Sequence, residues 1–409
     1  METFRVGIDF RGAQSGGGSG QRGIGRYTTD LVLGLLEHGR QPVFERTGKL
    51  LEIVLFHAEG IPIPPEINGR VTTAPVKAPT WSDAKKPLWL RLPKIRSQKR
   101  FHELRFNNSV KSQKRAMEAQ LRNIELDILH IPSALDVGSY PIYSYPCPVV
   151  MTFLDAIVVQ LREDVLEKYP WFLQDYYFLQ AENLKLANRL VAISQASKAD
   201  ATHVFGLEAS KIDVVYPCVS NEFLEPRLPS PRKRPYFLFC SVPDPHKNPR
   251  VVMEAFSKIE SDCDLVFVSP RDMLYMPSLL QFAEELGISD RFTITGFVPG
   301  ADLVALFQNA IALVSPSKME GFGLPVAQAM RAGIPVITSR VSAQAEIANG
   351  VGILIDPNSA VEIAAAMNRI LHETNREELA RKGRERAQWF DSDKVTRELI
   401  DTYLSVLDK

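Results

Sequence analysis

The residues best suited to chemistry in this chain form two stretches. One is Glu320-Gly321-Phe322-Gly323-Leu324-Pro325, with Gln328 a turn further on. An apolar run precedes it, and Gly333 and a second apolar run follow. That is the pattern of strand, glycine-bearing loop, helix and strand. Proline fits the first helical turn because the donor it lacks would have no partner there. The remaining N–H groups of such a turn, with the helix dipole, make a seat for an anion. Glu320 stands just before that seat, placed to accept hydrogen bonds from hydroxyls. A carboxylate beside a phosphate seat suits a sugar nucleotide, which has both groups. Taken alone, the pattern is also that of a routine turn between a strand and a helix.

The other stretch is Pro243-Asp244-Pro245-His246-Lys247-Asn248-Pro249. By itself a lysine in such a Pro/Asn loop reads as a solvated charge. His246 adds a partial charge near neutral pH or sits on the surface. A third candidate is the glycine-rich run from Gly16 to Gly25, with a formal GxGxxG at Gly18, Gly20 and Gly23. A dinucleotide site needs that motif directly after a strand, with an acid about 20 residues on. The preceding strand ends near Phe10, too early, and no acid lies at the right distance. His130 ends an apolar run and points by position toward a strand-end cleft, as a lining residue or a satisfied strand-end histidine. No HExxH and no paired-carboxylate spacing suggests a metal site or a hydrolase.

Alternating strands and helices must position these residues. Short apolar runs at residues 5–9, 51–56, 127–131, 149–153 and 189–194 read as parallel strands buried on both faces. A proline- and arginine-rich stretch at 219–235 then breaks the rhythm as a linker. Strands resume at 236–240, 264–269, 292–295, 311–315, 335–338 and 352–355. The fold class is α/β, with two doubly wound Rossmann-like domains over residues 1–218 and 236–391 and a helical end at 392–409. In such sheets ligands bind beyond the carboxyl ends of the strands, here in the cleft between domains.

The 48 basic and 48 acidic residues of the 409 cancel, which argues against a bulk nucleic-acid binder. Cys147, Cys218, Cys240 and Cys263 form no CxxC pair, pointing to a reducing, cytoplasmic compartment. The N-terminus reads as a strand rather than a signal peptide, and no apolar run is long enough to span a membrane.

The motifs together resemble glycosyltransferase family 4, retaining enzymes of the GT-B fold. The resemblance rests on Glu320-Gly321-Phe322-Gly323-Leu324-Pro325, the Pro-His-Lys-Asn loop and Val191-Ala192-Ile193-Ser194-Gln195-Ala196-Ser197-Lys198. Gly296-Phe297-Val298 and Gly352-Ile353-Leu354-Ile355-Asp356-Pro357 match in order. It implies a UDP- or GDP-sugar donor, a hydroxyl acceptor, no metal or other cofactor, and a terminal helix that crosses back to the first domain. Lys247 would reach the donor diphosphate, Glu320 the sugar hydroxyls, and Gln328 the ribose. Ser241, Phe322, Gly323 and Leu324 would line the donor site, and Gly23 and Gly25 would open a helix near the phosphates. Asp155, Leu154 and His130 would lie on the acceptor or sugar side.

His246 stands where the family usually has arginine, and three further positions depart from it. Leu154 stands where a histidine is usual, Gln328 where a second glutamate is usual, and Ser241 where many members have arginine. They motivate a second reading, a catalytically degenerate GT-B protein that binds nucleotide sugar or acts as a scaffold subunit. Residues 77–125 hold 13 Lys/Arg against four Asp/Glu, with Trp81 and Trp89 among them. Such a segment suits an anionic membrane surface at the inner face of the membrane, or a solvated insertion with a helix over 108–123.

Overall fold

The computed structural model describes residues 1–14, 23–76, 111–112, 114–135, 145–163, 165–168, 171–224, 226–269, 276–298, 300–372 and 376–407. Most of the basic stretch and the glycines from Gly16 to Gly20 lie outside the described residues.

The first sheet contains β1 (Thr3–Asp9), β2 (Leu50–Ala58), β3 (Thr72–Val76), β4 (Ile128–Ile131), β5 (Val149–Phe153), β6 (Arg189–Ala192) and β7 (Ile212–Val214). Their spatial order is β3-β2-β1-β4-β5-β6-β7. The second contains β8 (Tyr236–Cys240), β9 (Asp264–Val268), β10 (Phe292–Ile294), β11 (Ala312–Ser315), β12 (Val336–Ser339) and β13 (Ile353–Ile355), in the order β10-β9-β8-β11-β12-β13. Every pairing is parallel. Both sheets therefore have the strand order of a doubly wound fold, with its crossover at the first strand of each.

The apolar runs need two covered faces, and they have them. In β2, Ile53 and Leu55 enter one core while Val54 and Phe56 enter another on the opposite face. In β8, Phe237 and Phe239 face one core and Tyr236 and Leu238 the other. The strands read from the sequence are present within a residue or two. The edge strands β3 and β7 are additions to that reading. In β3 only Ala74 and Val76 are buried, so it never forms an apolar run.

The stretch 219–235 is not a free tether. Gln308 donates to the carbonyls of Phe223 and Pro226 and accepts from the Leu228 N–H at 2.8 Å. Phe223 packs edge-on against Phe307. The chain crosses between the sheets a second time just before the terminal helix, Ser392–Leu404. The crossings lie side by side: the Val219 N–H donates to the Phe390 carbonyl at 2.9 Å. The terminal helix buries Leu399, Ile400 and Tyr403 in the core of the first sheet, beside Val32 and Leu35. Full burial of one such aliphatic residue contributes about 1.5–3 kcal/mol. A notch at Gly34 admits this helix, because a Cβ there would lie 2.6 Å from Thr396 Oγ1. Residues 111–112 and 114–123 are helical, within the range expected for that segment. No helix among the described residues is long and apolar enough to cross a membrane.

Candidate functional site

A cavity of about 730 Å³ opens between the carboxyl ends of the two sheets. Lys247 follows β8 and Glu320 follows β11, neighbouring strands, so the sheet itself brings them together. Lys247 Nζ lies 2.6 Å from Glu320 Oε1, with 16% and 15% of the side chains exposed. Ser317 Oγ donates to the same oxygen at 2.8 Å.

Each loop is fixed by its own short bonds. Asn248 adopts φ 56°, the left-handed region that Asn tolerates better than most residues. Its buried amide donates to the carbonyls of Pro316 (3.0 Å) and Pro357 (2.8 Å). The Lys318 N–H donates to the His246 carbonyl at 2.7 Å. The lysine loop is thereby sewn to the glutamate loop. Gly323, at φ 96°, caps the helix Leu324–Ala332, and a Cβ there would meet Gln344 at 3.1 Å. Pro325 has no N–H and the Val326 N–H donates to the Gly323 carbonyl at 2.9 Å, so the helix start offers the cavity the Gly323 and Leu324 N–H groups, whose residues line it beside Glu320.

Of the expected donor-side residues, Ser241, Phe322, Gly323, Leu324 and Gln328 all line the cavity. Phe322 also supports the fold, its ring packing edge-on against Phe390 at 5.2 Å. Gly23 lines the cavity as the first residue of the helix Gly23–His38. Gly25 is buried in that helix and is not among the residues that line the cavity.

Leu154 and Asp155 line the cavity on the first-domain side. Burial pushes the Asp155 carboxyl up, and the charge of Glu320 adds to this; the Ile157 N–H and Lys247 pull the other way. His130 is a correction to its placement on the acceptor side: of the two readings open to it, it takes that of a satisfied strand-end histidine. It is fully buried, and its Nδ1 lies 2.7 Å from the Tyr403 hydroxyl and its Nε2 2.8 Å from Thr152 Oγ1. Thr152 in turn meets the Tyr27 hydroxyl at 3.2 Å. Burial holds the imidazole down at about 3, so it is neutral, and it is not among the residues that line this cavity.

Several lining residues had no sequence signal. Arg26 and Asp30, one turn apart on the first helix, form an ion pair at 2.8 Å, and burial lifts the Asp30 carboxyl to about 6. Arg26 and Lys247 are the arginine and the lysine among the described lining residues, and each already faces a carboxylate. Cys218 and Cys240 line the cavity too, but burial raises both thiols to about 12, so neither is a thiolate nucleophile at neutral pH.

The serines of the Val191–Lys198 stretch do not touch the cavity. Ser194 caps the helix Gln195–Phe205, accepting from the Ser197 N–H, and its hydroxyl donates across the cleft to the Gly321 carbonyl at 2.7 Å. Glu346, from the second domain, accepts from the N–H groups of Gln195 and Ala196, both at 3.0 Å, and from the Tyr216 hydroxyl at 2.7 Å.

Comparison with known proteins places these features in a family. The model named Glycosyltransferase Family 4 matches residues 54–223, and the model named Glycosyl transferases group 1 matches residues 220–388. The O-antigen chain mannosyltransferase B of Escherichia coli is 27% identical over 236 residues. That match covers 54% of this chain and 62% of that protein, so the chain spans less than two thirds of its relative's length. Among solved structures, sucrose-phosphate synthase from Thermosynechococcus elongatus superposes with a TM-score of 0.73 at 18% identity, over 99% of both chains. Anabaena Alr3699/HepE, in complex with UDP and glucose, gives 0.68 at 16% identity, over 98% of this chain and 100% of that one. At these identities the likeness to solved structures is one of fold, the GT-B arrangement.

Proposed function

Starting from the family to which this chain belongs, the group 1 glycosyltransferases of family 4, we propose that it transfers a sugar from a nucleoside diphosphate sugar to a hydroxyl acceptor with retention of anomeric configuration. The observation that carries this is the convergence of Lys247, Glu320 and the Gly323/Leu324 helix start on one interdomain cavity. An ammonium has three donors, so Lys247 can keep Glu320 and still reach a diphosphate oxygen. Negative charge growing on the departing diphosphate meets that ammonium and the N–H groups of Gly323 and Leu324, the kind of fixed electrostatic stabilisation worth most in transfer reactions. Glu320, held by Lys247 and Ser317, accepts hydrogen bonds from donor-sugar hydroxyls. Gln328 contacts the ribose without adding charge. The acceptor hydroxyl attacks the face from which the diphosphate leaves, and no protein nucleophile is assigned. Closure around the donor excludes water that would hydrolyse it.

The name of the Escherichia coli relative puts mannosyl donors first and suggests a cell-envelope polysaccharide, or its lipid-linked or small glycoside precursor, as acceptor. The basic stretch 77–125 would hold the protein at an anionic cytoplasmic membrane face. Sedimentation with anionic vesicles tests this, and binding unchanged by salt would remove it.

The function is tested by nucleoside diphosphate release across a panel of UDP- and GDP-hexoses, with the product anomer read by NMR. Turnover is expected with one donor class, unaffected by EDTA, and lost in Lys247→Ala and Glu320→Ala. Turnover retained in both variants would refute the assigned site. Tight nucleotide binding without turnover of any donor would favour the scaffold reading.

A further inference from the structure

Two separate polar paths run from the first domain to the peptide that carries Glu320. The shorter one ends on Gly321. The Ser194 hydroxyl reaches its carbonyl at 2.7 Å, and the Ser197 hydroxyl lies 2.9 Å from it and 2.7 Å from the Leu154 carbonyl. Both serine side chains are fully buried. The contact is so close that a Cβ on Gly321 would stand 2.3 Å from the Leu154 carbonyl oxygen and 3.0 Å from Asp155 Cβ.

The longer path passes through the short helix Ser342–Ile347. At its start the Ser342 hydroxyl donates to the Glu320 carbonyl at 2.7 Å and accepts from the Glu320 N–H at 3.1 Å. Ser342 holds φ 59°, an unfavourable conformation for serine that this pair of bonds accompanies. One turn later Glu346 accepts from Gln195, Ala196 and Tyr216 of the first domain. A carboxylate on two helix N–H groups is a charge-assisted contact, about twice as strong as a neutral one.

We propose that Ser197, reaching across the cleft, and Glu346, gripping the first domain from the same domain as Glu320, are positioning residues that set Glu320, so that its carboxylate is in register only while the domains are clamped together. The backbone that carries Lys247 and the Leu324 helix start is held within the second domain by Asn248 and the Gly323 turn rather than by the clamp. Nucleotide binding and sugar transfer should therefore separate. This rests on the transferase reading for its kinetic arm and not for its structural arm.

The test compares wild type with Glu346→Gln, Glu346→Ala and Ser197→Ala, each read for melting temperature, for UDP and GDP affinity by calorimetry, for kcat and donor KM, and for radius of gyration by X-ray scattering. Glu346→Ala is expected to lower kcat roughly tenfold to a hundredfold, the cost of a misplacement of about 1 Å. Glu346→Gln, which keeps an acceptor oxygen, should lie between it and wild type. Affinity for the nucleoside diphosphates should stay within about twofold in all three, and the radius of gyration should rise in Glu346→Ala. A merely structural role predicts lower melting temperature with kcat intact, and that result overturns the proposal. So does a parallel fall of kcat and nucleotide affinity. If the wild-type protein turns over no donor, the transferase reading fails by itself. The clamp then stands or falls on scattering, and an unchanged radius of gyration in Glu346→Ala and Ser197→Ala overturns it.

Discussion

The second-domain wall of the cleft and the first-domain wall are held together differently. On the second, Lys247 and Glu320 follow adjacent strands, and Asn248 ties their loops through two proline carbonyls. On the first, the polar groups behind the wall are fixed from far along the chain: Tyr403 orders His130, and Glu346 caps a helix from the opposite domain. A wall built from its own loops can be read from a short motif. A wall built from distant partners cannot.

The largest test of this contrast is Lys247→Ala. It should lower kcat/KM roughly 10²–10³-fold, the loss seen when one fixed transition-state donor is removed. Thermal melting should barely move, since Asn248 and not Lys247 holds the loop. A large drop in melting temperature would show that the lysine serves the fold.

Gly321→Ala attacks the seam between the walls. Its new methyl meets backbone at Leu154, which cannot step aside as a side chain would. Overpacking of this kind costs about 1–3 kcal/mol, and here it should appear as domain separation in scattering together with lost turnover. A fully active Ala variant would mean the seam is open during catalysis.

His130→Asn probes the first wall alone. It should destabilise the protein by about 1–3 kcal/mol by leaving Tyr403 and Thr152 poorly paired, with donor KM unchanged. The histidine also sets a pH signature. Its pKa falls from 6.5 when exposed to about 3 when buried, so the unfolded chain binds the extra proton first. Its stabilising contribution is full above pH 6.5 and is lost as pH falls toward 3, with a slope approaching about 1.4 kcal/mol per pH unit. Urea titrations of wild type and variant between those pH values should differ by that slope. Equal slopes would remove His130 as its source.

The smallest effect is expected from Gln328→Glu. A charged acceptor in place of the amide should tighten nucleoside diphosphate binding by roughly fivefold, a difference of about 1 kcal/mol. No change would place the ribose elsewhere.

The same contrast explains what was legible in the sequence. Both sheets were, because a strand buried on two faces is a continuous apolar run, as in β9, where all five residues are buried. β3 and β7 were not: one is half exposed and carries Pro75, and the other has three residues. Lys247, Glu320 and the Gly323 turn, each part of a short motif that carried the family resemblance, line the cavity. His130 does not, because position along a strand says nothing about a tyrosine that arrives 273 residues later. Ser194 and Ser197 stand out as a motif, but their partner, Gly321, lies more than 120 residues on. Glu346 gives no signal, since a carboxylate on a short helix has no pattern until the opposite domain is in place.

The adjacent crossings at Val219 and Phe390 carry a mechanical consequence. A single tether would let one domain swing in any direction about the other. Two crossings joined by a backbone bond remove part of that freedom, because twisting one domain on the other would have to break that bond. An opening that keeps this bond is a hinge sweep rather than a twist, like a page turning on its spine. Each return stroke brings Gly321 back to the same two serines, so a nick in one crossing should loosen the aim of the closing motion before it separates the halves.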